Sequence, residues 1–245
     1  MKILTLNTWQ ERGPWRDRWE ITLEGIAHFQ PDIVGFQELF NPSWVVEIKR
    51  RTGFAELAFL EQGGGLALYT RYPLKSWRVQ ALTKSPLEDY LRYALWSELD
   101  VNGKSLFAFN THFSWMLEDG ETRRKQVEEV LRLVEEKARD GEVVLMGDLN
   151  APRGSREIEE LVQRGRFRDV FFEKHPEELG YTWDNRNPYV AGAFHKLPDR
   201  RIDFILTRGP GAIFKNGVNC ELVFTKPSTK GVWASDHYGV LAEFQ

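Results

Sequence analysis

Val143-Val144-Leu145-Met146-Gly147-Asp148-Leu149-Asn150 decides how the chain is read. Four apolar, partly β-branched residues are too short a run for a helix and predict a buried strand. The strand is expected to stop at Gly147, where the backbone can turn closely. Asp148 and Asn150 then present a carboxylate and an amide from rigid backbone, a pair suited to a hard metal ion or a phosphate-bound water.

The same device recurs along the chain. Ile3–Leu6 runs into Asn7, and Ile33-Val34-Gly35-Phe36 runs into Gln37-Glu38. Leu106–Phe109 leads to Asn110-Thr111-His112, and Ser235-Asp236-His237 immediately precedes the apolar Tyr238–Phe244. Arg201–Leu206 reads as a strand with Asp203 inside an apolar run, which is costly unless that acid has a partner.

Between these strands lie helical signals. Trp15, Trp19, Leu23, Ile26 and Phe29 recur at helical spacing after Pro14 and predict a core-facing stripe. Asn41-Pro42 supplies an N-cap and first position for a second helix ending at Gly53. Gly120–Ala138 reads as an amphipathic helix whose Arg123-Arg124-Lys125 cluster is expected on its solvated face, and Ser155–Val162 as a shorter one. Phe54–Phe113 is otherwise strand-rich, with Asn102-Gly103 a hairpin signal and Gly63-Gly64-Gly65 a flexible turn rather than a phosphate loop. Phe167–Phe172 reads as an irregular edge. Gly180–Pro198 lacks periodicity but carries Trp183, Arg186 and Tyr189, and a loop of that length is expected at the mouth of a pocket.

Composition narrows the class. The chain has 245 residues with 42% hydrophobic and 28% charged, ordinary for a globular protein, and no linker or repeat, so one domain over 1–245 is expected. Its single cysteine, Cys220, excludes an internal disulfide framework and a multi-cysteine zinc site. A net charge of −3 gives no global pull on polyanions, so nucleic acid would need a local basic rim. No apolar run reaches the length of a membrane span, and the opening strand turns polar at Asn7 without a signal-peptide core. A cytoplasmic monomer is the expectation.

Collected, the polar residues at strand ends are Asn7, Glu38, His112, Asp148, Asn150, Asp203, Asp236 and His237. Each alone has a plain structural reading, as turn former, satisfied core histidine or helix-start acid. If these strands lie near one another, their ends form one pocket with four carboxylates, two amides and two imidazoles. With only two imidazoles and no cysteine among them, Mg²⁺ suits the set better than zinc, with Mn²⁺ as a substitute.

In order, Leu6-Asn7-Thr8-Trp9, Gly35-Phe36-Gln37-Glu38, Asn110-Thr111-His112-Phe113, Gly147-Asp148-Leu149-Asn150, Arg201-Ile202-Asp203-Phe204-Ile205 and Ser235-Asp236-His237-Tyr238-Gly239-Val240 resemble the motifs of the endonuclease/exonuclease/phosphatase superfamily. Trp9 and His112 are closer to its pancreatic-type deoxyribonuclease and neutral sphingomyelinase branches than to its abasic-site endonucleases. The resemblance implies a four-layered α/β sandwich of two mainly antiparallel sheets with helices outside. It implies Glu38 as principal metal ligand with Asn7 nearby and Asp236 as a second acid. It further implies Asp148 orienting or deprotonating the attacking water, Asn150 and His112 on the phosphate, and His237 held by Asp203.

The expected reaction is in-line hydrolysis of a phosphoric ester. Arg186, Trp183 and Tyr189 are the expected substrate contacts, on a rim with Trp9, Trp115, Arg12, Arg16, Arg71, Arg123, Arg124 and Arg200. Nucleic acid or nucleotide phosphodiesters rank first as substrate, small phosphoesters second, and lipid head groups, touched through Trp115-Met116-Leu117, third. A non-catalytic module of the same fold is the distant alternative.

Overall fold

The computed structural model describes residues 1–60, 64–192, 196–211, 213–214 and 218–245. In chain order the elements are β1 (Lys2–Asn7), α1 (Trp15–Phe29), β2 (Ile33–Gln37), α2 (Pro42–Thr52), β3 (Glu56–Phe59), β4 (Ala67–Thr70), β5 (Leu74–Ala81), β6 (Tyr93–Val101) and β7 (Lys104–His112). There follow α3 (Gly120–Ala138), β8 (Glu142–Asp148), α4 (Arg156–Gln163), β9 (Arg168–Asp169), α5 (Val170–Lys174), α6 (Pro188–Ala191), β10 (Asp203–Arg208), β11 (Val218–Val223) and β12 (Gly239–Phe244).

The strands form two six-stranded sheets, ordered β11, β12, β1, β2, β4, β3 and β5, β6, β7, β8, β10, β9. Only β1 with β2 and β7 with β8 run parallel; the other described pairs are antiparallel. Three apolar clusters define the layers. Ile3, Ile33, Leu68, Leu106, Val144 and Ile205 pack between the sheets. Trp19, Leu23 and Ile26 of α1, with Val45 and Ile48 of α2, cover one outer face. Val127, Val130 and Val134 of α3, with Ile158 and Leu161 of α4, cover the other. Strands buried on both faces need continuous apolar runs, which is why Ile33–Phe36 and Val143–Met146 lack polar alternation. The arrangement is the expected four-layered α/β sandwich.

Local signals act where the sequence places them. The Asn41 side chain accepts from the backbone N–H groups of Ser43 and Trp44, and Gly53 ends α2 at φ +69°. The Ser155 hydroxyl caps α4. Cys220 is buried between the sheets, and burial pushes its thiol up to about 12.

Several expectations are corrected. The irregular edge expected over 167–172 is present as the two-residue β9, the outermost strand of its sheet, but the segment then turns into α5, while β11 and α6 carry no counterpart in the sequence reading. Gly63 of the expected glycine turn lies outside the described residues, as do residues 193–195 of the long loop. Arg123 is not on a solvated face. It is buried, pairs with Glu157 at 3.0 Å and donates to the carbonyls of Ser114, Met116 and Leu117. Nor does the central strand stop at Gly147; it continues to Asp148. Gly147 has φ +138°, and a Cβ there would stand 1.9 Å from the Thr111 carbonyl oxygen, because Gly147 sits opposite Thr111 in the parallel β7–β8 pair. Gly147→Ala is therefore expected to lower unfolding free energy by about 3 kcal/mol, strain plus a displaced backbone, measurable by urea denaturation.

Candidate active site

Strand register gathers the polar residues at one end of both sheets. His112, Asp148 and Asp203 stand side by side on β7, β8 and β10, paired His112 with Asp148 and Asp148 with Asp203. On the other sheet Asn7 pairs with Gln37 at the ends of β1 and β2, and Glu38 follows directly. Because β12 runs antiparallel to β1, its leading Asp236-His237 arrives at this same edge. The result lines one cavity of about 590 Å³ with Asn7, Glu38, His112, Asp148, Asn150, Asp236 and His237 among its walls, a volume typical of ligand sites.

Asp148 is the hub. Its Oδ2 accepts from Asn7 Nδ2 at 3.0 Å and lies 3.3 Å from His112 Nε2 and 3.8 Å from His237 Nε2, while its Oδ1 accepts from the Asn150 backbone N–H at 3.0 Å. Burial and the neighbouring Asp203 charge push the Asp148 carboxyl up to about 7. His237 Nδ1 contacts Asp203 Oδ2 at 2.8 Å. Burial opposes a charge on that ring, but the carboxylates of Asp203, Asp148 and Asp236 outweigh it and push His237 up to about 10, so it is an imidazolium at neutral pH. His112 is the reverse: burial, then the Arg92 and His237 charges, hold it well below the usual histidine value and keep it neutral.

Asp236 is pushed up to about 6 by burial and by the charge of Glu38. Glu38 itself receives the Asn7 amide at 3.4 Å. Two repelling carboxylates with oxygen donors beside them are the donor set a hard divalent cation relieves, so the residues fit such an ion. Asp148, Asp203 and His237 also bring ligand atoms within 4.8 Å of one another. There, however, Nδ1 faces Asp203 and a proton already supplies the compensating charge, so the Glu38 and Asp236 side suits the ion better.

Non-glycine residues with left-handed backbone cluster here: Trp9 (φ +55°), Gln10 (+51°), Glu38 (+58°) and Asn150 (+49°), all cavity-lining. Such conformations persist only where the surroundings impose them. Arg18 supplies much of that. It is 1% exposed and donates to the carbonyls of Thr8, Trp9, Gln10, Arg12 and Ala234, tying the loop after β1 to the loop before Asp236. Replacing it with Met is expected to cost about 3 kcal/mol through unsatisfied buried carbonyls and to weaken activity in parallel, measured by thermal melting and turnover. Asn187 holds the same loop from the other side, donating to the Ser235 carbonyl at 2.8 Å.

Of the expected contacts, Trp183 and Tyr189 line the cavity, Tyr189 stacking on Trp9 with ring centroids 4.6 Å apart. Arg186 does not line it; its guanidinium turns back onto Asp184, Nε to Oδ2 at 2.8 Å. Arg12, Arg200 and Trp115 line the cavity, whereas Arg16, Arg71, Arg123 and Arg124 do not. Asp203 stands behind His237 rather than on the wall, and the Asn150 amide donates to the Phe113 carbonyl at 3.0 Å. Sequence reasoning missed Arg18, Tyr90 and Arg92; the last lines the cavity and pairs with Glu88 at 2.8 Å.

The profile of the endonuclease/exonuclease/phosphatase family matches residues 4–237. The chain belongs to that family. Among curated relatives, phospholipase C of Staphylococcus aureus is 26% identical over 197 residues, covering 75% of this chain and 57% of the relative. Tyrosyl-DNA phosphodiesterase 2 of Gallus gallus is 25% identical over 252 residues, covering 98% and 66%. The chain thus spans somewhat less than two thirds of the length of these family members. The D. rerio TDP2 structure complexed with single-strand DNA product superposes with a TM-score of 0.83 at 21% identity, covering 100% of this chain and 98% of that one. The structure of a beta toxin mutant of S. aureus with bound magnesium ions gives 0.79 at 18%, covering 100% and 99%. These likenesses carry the fold. No helix among the described residues is long and apolar enough to cross a membrane.

Proposed function

We propose that residues 1–245 form a single, monomeric catalytic domain that hydrolyses phosphoric diesters with a divalent cation, Mg²⁺ or Mn²⁺, held by Glu38 and Asp236 with Asn7 beside them. The observation that carries this is Asp148 Oδ2, set among Asn7 Nδ2, His112 Nε2 and His237 Nε2 at the floor of the cavity. When bound, the cation would offset charge on the phosphoryl oxygens and leaving oxygen. Asp148, pushed up to about 7, is matched to take a proton from an attacking water near neutrality. The His237 imidazolium, oriented by Asp203, offers a fixed positive charge where negative charge accumulates. Neutral His112 and the second N–H of the Asn150 amide, whose first meets the Phe113 carbonyl, offer hydrogen bonds from the remaining sides, while the Asn7 amide holds Asp148 and Glu38.

For the ester's substituents, the stacked Trp9–Tyr189 pair and Trp183 favour bases of a nucleic acid or nucleotide. One curated relative is a tyrosyl-DNA phosphodiesterase, in keeping with that substrate class. A second reading, a phospholipase C-type or small-phosphoester hydrolase, draws on the other relative and on exposed Leu87, Tyr90, Leu91 and Leu117 beside the cavity-lining Trp115. Parallel assays with Mg²⁺ on single-stranded DNA, RNA, abasic duplex, sphingomyelin and inositol phosphates separate them. Preferential cleavage of a polynucleotide supports the first reading; turnover confined to sphingomyelin or inositol phosphates rejects it.

A further inference from the structure

Buried arginines elsewhere in this fold are all spoken for. Arg18 meets backbone carbonyls, Arg92 meets Glu88, Arg123 meets Glu157, Arg201 meets Asp169 and Arg208 meets Glu135. Arg200 breaks the pattern. It is 6% exposed, yet its Nε and Nη1 have no hydrogen-bond partner among the described residues, and neither does the indole Nε1 of its neighbour Trp183. A buried guanidinium without acceptors is a costly arrangement for a purely structural residue.

Its position gives the reason. Arg200 and His237 both pair with Trp183 through isolated antiparallel bridges, so the three stand in a row along the wall of the cavity. Burial lowers the Arg200 pKa, the Asp148 and Asp203 charges raise it, and Arg123 lowers it, so the nearest acids are those of the site floor. Neither acid hydrogen-bonds Arg200: Asp148 Oδ2 takes the Asn7 amide, Asp203 Oδ2 faces His237, and Asp203 Oδ1 has no hydrogen-bond partner among the described residues. Glu38 and Asp236 follow or precede strands of one sheet, while Arg200 precedes β10 of the other. Arg200 lines the cavity while two of its guanidinium nitrogens meet no acceptor among the described residues.

We propose that Arg200, with the Trp183 indole N–H, is an anion clasp that binds non-bridging phosphoryl oxygens of the substrate and of the phosphomonoester product, a group inorganic phosphate imitates. This rests on the phosphoester reading of the site and adds to it a specific oxyanion-binding residue. A guanidinium presents a planar fork of donors that matches a phosphoryl group in a way a single ammonium does not.

The test is isothermal titration of inorganic phosphate into the full chain supplied with Mg²⁺, comparing wild type, Arg200→Met and Arg200→Lys. Wild type is expected to bind phosphate, Arg200→Met to bind it at least about tenfold more weakly, and Arg200→Lys to fall between. The same order is expected in KM for a bis-aryl phosphodiester. A folded Arg200→Met protein with wild-type phosphate affinity overturns the assignment, as does a wild type that binds no phosphate. Should Arg200→Met not fold, the Arg200 Nε–H resonance, assigned by its loss in Arg200→Lys, must shift on adding phosphate, and an unmoved resonance overturns the assignment too. Phosphate bound through Arg200 without hydrolysis of any ester sinks the enzymatic reading alone. Hydrolysis with phosphate affinity and KM indifferent to Arg200→Met sinks the clasp alone.

Discussion

Asp148→Asn is expected to lower kcat by about 10³-fold while leaving the fold intact, because the amide keeps the shape of the carboxylate but cannot take a proton. The wild-type carboxylate accepts from the Asn7 side chain at Oδ2 and from the Asn150 backbone N–H at Oδ1, and the amide oxygen of the variant keeps one of these two acceptor roles. The pH profile carries the second signature. Asp148 must be deprotonated to act as base, so wild-type activity should fall as pH drops through about 7, and a bound divalent cation moves that limb lower. In the variant the acid limb should disappear along with most of the rate. Stopped assays across pH with a bis-aryl phosphodiester read both; a variant as active as wild type rejects Asp148 as the base.

His237→Gln is expected to cost about 10²-fold in kcat/KM, the usual scale for one charged or oriented group that stabilises developing negative charge. Glutamine is the informative replacement because its amide can still donate to Asp203, whose described side-chain partner is His237. Alanine would leave the Asp203 carboxylate buried with neither oxygen bonded, since its Oδ1 already lacks a partner, and would confuse stability with catalysis. The sign of the pH effect is opposite to that of Asp148. In the proposed role His237 acts in its protonated form, so wild-type activity should fall as pH rises through about 10, and the alkaline limb should vanish in the variant. A variant with unchanged kcat/KM and an unchanged alkaline limb excludes His237 from charge stabilisation.

Much of this architecture is legible in the chain because strand ends are marked twice, by an apolar run and by the polar group that interrupts it. Asn7, Glu38, His112, Asp148 and His237 were recoverable for that reason, and register then made them neighbours. Asp203 announced itself as an acid in an apolar strand and proves to sit against a histidine. What escaped was polarity hidden in helical stripes. Arg18 shares the spacing of Trp15, Trp19, Thr22 and Ile26, and Arg123 that of Val127, Val130 and Val134, so both were placed to face inward. A charged residue on a stripe reads as surface unless the loops that need its donors are known, and those loops are distant in sequence. Val218–Val223 was missed for another reason: it is a short edge strand whose alternation, with Cys220 and Val223 buried, is weak. Arg186 was the expected substrate contact and Arg200 only a rim cation, but folding gave the first an Asp184 partner and left the second lining the cavity.

The proposed roles of Glu38, Asp148, Asp236 and His237 have one direct consequence, that P–O cleavage needs both the cation and the carboxylate. Metal-stripped protein is to be titrated with Mg²⁺ while aryl alcohol release from a bis-aryl phosphodiester is followed. The account predicts no release in chelator, saturable recovery as Mg²⁺ is added, and no comparable recovery in Asp148→Asn. Release in chelator at the Mg²⁺-saturated rate, or identical recovery in the variant, would contradict it.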